Sequence, residues 1–414
     1  MLTIDGGHRM HGRAHIGGSK NAALAVMCAA LLCEGTVILQ NIPRIGDVHD
    51  LCTLFSGLGV TTDFDGHTLT VRPDGIYTTT CRRPESGAIR ASSYLLGALL
   101  GRYGHAEISA PGGCRIGKRP LNFHLDAFKA LGARVRSRGG RIALALPEGG
   151  ALEGANVALP YPSVGATINI MLAAVRAKGV TTIFGAAREP HVQDTAAFLN
   201  ACGARIVGAG TDVIVLSGVP SLRQSTPYTV IADPMEAGTF MIYTCLLGGE
   251  LELSGVNPAH LSAVCRVLED MGAHIESEEN GLYIRAEPPL AGARVVTAPY
   301  PGFPTDLQQP LAVLMSVARG KSTLEETVFE NRFGIAEALK KMGADVRVHG
   351  NTLFFTGVDK LTAAPVEATD LRGGAALLGA ALAAEGKTEL TGEAHLFRGY
   401  EDILTKLDGM RAYT

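Results

Sequence analysis

Apolar runs of about ten residues, rich in Ala and Leu, recur along the chain. Ala22–Cys33, Tyr94–Arg102 and Ala375–Ala384 are examples, and each is followed after a glycine by a short segment with β-branched residues. The closing glycines are Gly35, Gly104, Gly179, Gly249, Gly320 and Gly386. A second mark runs in parallel, a helix-like segment ending in a small-residue turn, at Gly59, Gly132, Gly203, Gly272 and Gly343, with a degenerate sixth copy at Leu407-Asp408-Gly409. The first five of these glycines are 73, 71, 69 and 71 residues apart. Two marks with one period predict six copies of a single unit, each with two helices, about four short strands, and a left-handed glycine stop after each helix. Hairpins are expected where Gly139-Gly140 and Gly350-Asn351 separate alternating segments. Helices apolar on nearly every face belong inside a domain, with sheets packed outside them.

Six units in a chain of 414 residues predict two domains of three units. The expected division is 20–231 for one domain, which carries Cys114, and 1–19 with 232–414 for the other. The chain start supplies strands to the C-terminal half in this reading. Ser225–Pro234, polar and proline-bearing, marks the midpoint.

Composition narrows the partners. A content of 46% hydrophobic and 19% charged residues suits a soluble globular protein, and a net charge of −3 gives no reason to expect nucleic acid or membrane. Small molecules are therefore the expected partners, and a cytoplasmic monomer the expected form. The Ala22–Cys33 run has the length of a signal-peptide core, but Leu32 is not the small residue that cleavage needs. The eight cysteines show no C-x-x-C spacing, and most sit in apolar stretches, so neither disulfides nor a metal site are expected.

Chemistry concentrates in a few polar segments. Pro111-Gly112-Gly113-Cys114-Arg115-Ile116-Gly117-Lys118-Arg119-Pro120 places one thiol among three cations, which raise its thiolate fraction. Gly17-Gly18-Ser19-Lys20-Asn21 and Tyr161-Pro162-Ser163-Val164-Gly165 both read as turn, cap and apolar helix, a grammar that suits either an anion site or an ordinary cap. Pro301-Gly302-Phe303-Pro304-Thr305-Asp306 presents one carboxylate that serves as a helix cap or as a general base. Arg372 and Arg398 each stand beside glycine, and their guanidinium forks suit carboxylate and phosphate oxygens.

Together with Ala186-Ala187-Arg188-Glu189-Pro190, Glu326 to Arg332 and Asp370-Leu371-Arg372, these segments resemble the enolpyruvate transferases over essentially the whole chain. The resemblance implies an α/β fold: a two-domain inside-out barrel of six helix–sheet units. It implies transfer of the enolpyruvyl group of phosphoenolpyruvate to the 3-hydroxyl of UDP-N-acetylglucosamine, with release of phosphate and without cofactor or metal. That reaction opens peptidoglycan synthesis. By resemblance Cys114 is the general acid, and the point at which the family's epoxide antibiotic alkylates, while Asp306 takes the sugar hydroxyl proton. Lys20, Asn21, Arg90, Arg119, Arg372 and Arg398 would hold phosphoenolpyruvate, with Lys20 and Arg398 also catalytic. Asn21, Arg90, Arg119, Pro120, Leu121, Asn122, Phe123, Ser163, Val164, Gly165, Asp306, Val328 and Phe329 would line the nucleotide-sugar site. Asn122, Gly185, His191, Pro234 and Phe397 depart from the family pattern. The alternatives are a non-catalytic relative that binds nucleotide sugar, or enolpyruvyl transfer to another acceptor.

Overall fold

The computed structural model describes residues 1–81, 89–112, 117, 119–330 and 332–412. Residues 1–17 and 232–414 form one compact unit, and residues 18–112 with 119–231 a second. Each unit has its own contiguous apolar core.

Three Ala/Leu-rich helices fill the core of the second unit: Lys20–Ala30, Tyr94–Tyr103 and Val164–Ala174. Pro234–Leu247, Gln308–Val317 and Leu371–Ala383 do the same for the first. Every residue from Ala22 to Ala30 is buried, as is every one from Leu371 to Leu382. A helix with no polar face lowers its free energy only by being enclosed, at roughly 25 cal/mol per Å² of apolar surface removed from water. More amphipathic helices, such as Ser262–Met271 and Gly334–Lys341, lie on the periphery of the repeat.

The sheets repeat as the helices do. Val180–Phe184, which follows a core helix, pairs parallel with Asn156–Ala158, the strand before that helix. On its other edge it pairs antiparallel with Val213–Ser217, which pairs in turn with Arg205–Val207. Among the described residues, four of the six sheets have four strands in this order. The hairpins at Gly139-Gly140 and Gly350-Asn351 are present, between Arg134–Arg138 and Arg141–Ala145 and between Asp345–His349 and Thr352–Thr356.

The chain start completes the far half. Leu2–Asp5 pairs antiparallel with Lys387–Thr391, and Arg9–His15 pairs parallel with Gly249–Ser254. Tyr228–Thr229 returns to pair with Val37–Gln40.

The last copy departs most from the about four strands expected per unit. Its sheet has three strands, and Arg411–Ala412 pairs instead with Arg9–His15, giving a five-stranded sheet there. The glycine stop fails at the same place. Gly272 ends its helix at φ 110°, whereas Gly409 ends the Ile403–Asp408 helix at φ −71°, in right-handed geometry. The sequence change from Met-Gly-Ala to Leu-Asp-Gly thus marks a real structural difference.

Candidate active site

In the second unit, Gly18 is required by a close approach: a Cβ there would lie 1.7 Å from the Asn41 carbonyl oxygen. The turn it allows delivers Ser19 as cap of the Lys20–Ala30 helix, its Oγ accepting from the Ala22 amide at 3.4 Å. Lys20 is then the first helical residue, with Nζ 3.1 Å from Asp47 Oδ2, and Asn21 the second. Both partners are largely buried, so the pair orients the ammonium in a poorly solvated place.

Arg90 opens a short 3-10 turn, Arg90–Ser93, and its guanidinium donates to the Arg119 carbonyl. Burial, and then the Arg119 charge, push the Arg90 pKa down to about 10. Adjacent cations of this kind are relieved by an anion. Pro120 and Leu121 follow Arg119 and lead into the Asn122–Ala130 helix, in which Asn122 is exposed and Phe123 half-buried. Ser163 caps the Val164–Ala174 helix through the Ala166 amide, at 3.3 Å, so Val164 and Gly165 form its first turn. The first amides of a helix lack intrahelical acceptors and suit anionic oxygens.

The first unit carries the carboxylate. Asp306 lies inside the Thr305–Leu307 turn, ahead of the Gln308–Val317 helix, and is the cap of neither, the cap positions being Pro304 and Leu307. Its Oδ1 instead accepts from Arg332 Nη2 at 2.8 Å, and its Oδ2 from Arg372 Nη2 at 2.9 Å and Nε at 3.2 Å. Burial alone would raise the Asp306 pKa, but the Arg372 and Arg332 charges hold it far below the usual carboxylate range. Arg372 is buried, its guanidinium 5.3 Å from the Tyr400 ring centre. Arg372 Nη1 and Arg332 Nε are buried without a hydrogen-bond partner among the described residues. The two guanidiniums keep spare donors beyond those that Asp306 takes, and such donors suit the oxygens of a second acidic group.

Glu326 ties the surrounding loops together. It accepts from Thr305 Oγ1 and the Val328 amide, each at 2.8 Å, and from the Phe329 amide at 3.1 Å. Arg332 donates to the Thr305 backbone and lies 5.0 Å from the Phe329 ring centre. Val328, Phe329 and Asp306 are therefore one hydrogen-bonded assembly. Arg398 ends the Ala394–Phe397 helix and is half-buried. Cys114 lies outside the described residues.

The family described as EPSP synthase (3-phosphoshikimate 1-carboxyvinyltransferase) matches residues 4–407. The chain belongs to the enolpyruvate transferase family. A relative from Caldanaerobacter subterraneus subsp. tengcongensis, named UDP-N-acetylglucosamine 1-carboxyvinyltransferase 3, is 45% identical over 99% of this chain and 98% of its own. A UDP-N-acetylglucosamine 1-carboxyvinyltransferase of Clostridium botulinum is 43% identical over the same shares. Among solved structures, the enolpyruvyl transferase NikO from Streptomyces tendae superposes with a TM-score of 0.88 at 27% identity, covering 99% of both chains. EPSP synthase from Acinetobacter baumannii shares the fold, with a TM-score of 0.73 at 21% identity over 94% of this chain and 93% of its own.

In this enolpyruvate transferase, two of the departures named above have local settings that suit the residue present, Pro234 and Gly185. Pro234 is the first residue of its helix, behind the Asp233 cap, a position where proline's missing N–H is not needed. Gly185 sits at φ 67°, which glycine adopts without strain. His191 is inside the first turn of the Pro190–Ala201 helix, and Phe397 is exposed. Arg332 and Glu326 escaped assignment in the sequence, although both lie in a segment that carries the resemblance. Their signal was buried charge within a loop motif, which becomes specific only once Thr305 and Asp306 are placed beside them.

Proposed function

We propose that this enolpyruvate transferase moves the enolpyruvyl group of phosphoenolpyruvate to the 3-hydroxyl of UDP-N-acetylglucosamine and releases inorganic phosphate. The observation that carries this reading is kinship over 99% of the chain, at 43–45% identity, with relatives named for that activity. Asp306, held as a carboxylate by two arginines, has the protonation state a general base requires. It takes the proton of the sugar hydroxyl as the oxygen bonds to C2 of phosphoenolpyruvate. Cys114 supplies a proton to the methylene carbon, which yields a tetrahedral ketal phosphate. Loss of phosphate and of one methyl proton then restores the double bond.

In this reading Lys20, Arg90, Arg119 and Arg398 meet the phosphate, and Arg372 with Arg398 the carboxylate. Asn21 contacts sugar and intermediate. Arg119 to Phe123 and Ser163 to Gly165 take the uridine diphosphate, with Val328 and Phe329 beside the sugar. Fixed cations aimed at developing charge lower the barrier because they need no reorganisation. The protein acts as a cytoplasmic monomer on small molecules in peptidoglycan synthesis.

The test measures phosphate release by purified protein with both substrates and with each omitted, together with product mass. Release that requires both substrates, with the acceptor heavier by one enolpyruvyl group, is the expected result. Release without the nucleotide sugar, or none at all, refutes the reading.

A further inference from the structure

Arg134–Arg138 is the last strand of its sheet and pairs with Arg141–Ala145 alone among the described strands. Arg134, Arg136 and Arg138 alternate with Val135 and Ser137, so their guanidiniums share one face of the sheet, and all are exposed. Arg141, also exposed, joins them from the next strand, directly opposite Arg138. Ala145 and Ala143, opposite Arg134 and Arg136, offer no polar side chain. Among the described residues none of these arginines makes an ion pair or a side-chain hydrogen bond.

Charge on an edge strand guards against unwanted pairing, but a guard needs no single sign. The corresponding strand of another unit, Asp345–His349, carries both signs: Arg347 Nε lies 3.8 Å from Asp345, and Phe354 stands opposite Arg347. Thr61–Asp65 is acidic but faces Thr68 and Thr70. In the arginine hairpin, by contrast, Arg138 and Arg141 oppose like charges across the ladder, which is destabilising. The fold gains nothing from that repulsion, and an opposite charge from outside the chain relieves it.

The backbone beside the arginines is open as well. Gly139 at φ 59° and Gly140 at φ 72° form a two-residue turn, so Arg138 and Arg141 exchange both ladder hydrogen bonds. Arg136 with Ala143 and Arg134 with Ala145 do the same, two and four residues on. The N–H and C=O groups of Val135 and Ser137 therefore face the free margin. A strand added there in antiparallel sense bonds to Val135 and Ser137. Its intervening side chains then meet the arginines at the closer, non-hydrogen-bonded spacing, one about every 6.8 Å.

We propose that the Arg134–Arg138 margin is a docking site for an extended acidic segment of another protein. The segment adds as an antiparallel strand with a carboxylate at every second residue. Guanidinium forks match carboxylates in two-point geometry, and the open backbone groups serve a polypeptide specifically. A nucleic-acid strand uses the charges alone, and the four strands of this sheet carry no Phe, Tyr or Trp on which bases stack. None of these arginines has a part in the proposed transfer reaction, so docking is separable from turnover.

The experiment is fluorescence-anisotropy titration of the purified protein into a labelled Thr-Glu-Thr-Glu-Thr-Glu-Thr peptide at low salt. The comparators are the same peptide N-methylated at its inner threonines, a peptide of equal composition with its glutamates consecutive, single-stranded oligothymidylate, and phosphatidylserine vesicles. Saturable binding of the alternating peptide is expected, weakening as salt rises. N-methylation keeps every carboxylate but removes the donors that reach Val135 and Ser137, and it lowers affinity about 10-fold or more, as does grouping the glutamates. The triple variant Arg134→Thr, Arg136→Thr, Arg138→Thr also loses about 10-fold, the worth of a few exposed ion pairs. Arg136→Thr alone, at the centre of the strand, repeats the test with a single exposed substitution and a smaller loss of about 2- to 5-fold. Thermal melting followed by circular dichroism supplies a second readout: Arg138→Thr melts at or above the wild-type temperature, because a repulsion is removed. A lower melting temperature shows that Arg138 serves the fold and overturns the argument. No binding of the alternating peptide, equal binding of its N-methylated form, or tighter binding of the oligonucleotide or the vesicles overturns the proposal. So does self-association that the triple variant abolishes, which assigns the margin to an acidic strand of a second copy, such as His274–Glu278.

Discussion

Replacing Asp306 by asparagine keeps the shape of the side chain and removes the charge between Arg332 and Arg372. Those guanidiniums are 5% and 3% exposed, so bulk solvent compensates poorly for the lost carboxylate. Breaking a buried pair by removing one partner costs about 3–5 kcal/mol, because the other charge stays buried. Asp306 itself is 25% exposed, which admits some screening and places the expected loss near the lower end, at about 2–4 kcal/mol. Urea unfolding followed by circular dichroism measures it. A loss of this size is a large share of the roughly 5–15 kcal/mol that holds a typical domain.

The pH dependence provides a second check on the same substitution. The folded pKa of Asp306 is depressed, so its stabilising contribution is fully present above the unfolded value of about 3.9. It is lost only as the pH falls below that value toward the folded one. The stability gap between wild type and Asp306→Asn therefore stays constant from about pH 5 to 8 and narrows below about pH 4. Turnover falls separately, by about 10²–10⁴-fold, since an amide takes no proton from the sugar hydroxyl. Unaltered stability at pH 7 would refute the electrostatic argument even if activity disappeared.

Four further outcomes are expected. Cys114→Ser abolishes alkylation by the epoxide inhibitor, read by intact-protein mass; persistent labelling would point to Cys81 instead. Arg398→Ala raises the phosphoenolpyruvate KM by 10-fold or more, about the value of one charge-assisted hydrogen bond, and an unchanged KM removes it from the anion site. Gly18→Ala drives a Cβ into the Asn41 carbonyl and costs at least about 1–3 kcal/mol in urea unfolding, with Lys20 displaced and turnover reduced. Burial raises the Asp194 pKa to about 6, so its carboxyl favours the fold below about pH 4 and that contribution is lost as the pH rises through 6. Asp194→Asn consequently stabilises the protein at pH 8, by on the order of 1 kcal/mol, and flattens the stability profile between pH 4 and 6.

The repeat was legible because its constraints are local. Gly59 and Gly272 end helices in left-handed geometry that other residues adopt only with strain, so the period survives wherever the turn does. Enclosure of the Leu371–Ala383 helix was equally plain, since no arrangement in water hides an all-apolar surface. What stayed illegible depends on residues distant along the chain. Whether Asp306 capped a helix or held charge was open until Arg332 and Arg372 appeared beside it, 26 and 66 residues away in sequence. The departure of the final unit from the repeat was visible as a degenerate motif, but the transfer of Arg411–Ala412 to another sheet was not.

The pairing of Leu2–Asp5 with Lys387–Thr391, and of Arg9–His15 with both Gly249–Ser254 and Arg411–Ala412, has a consequence for biosynthesis. Residues 18–231 emerge from the ribosome with a complete set of core helices and sheets and are free to fold during translation. The two leading strands cannot. They stay unpaired while several hundred residues are added, at about 5–20 residues per second, and their edges stay open to wrong partners throughout. The late unit then closes through contacts of nearly maximal sequence separation, the slowest class to form. Newly made chains consequently carry a finished half joined to an unfinished one, and the unfinished half holds the Asp306 carboxylate. Acquisition of activity should lag behind synthesis by the time the first strands need to find the last.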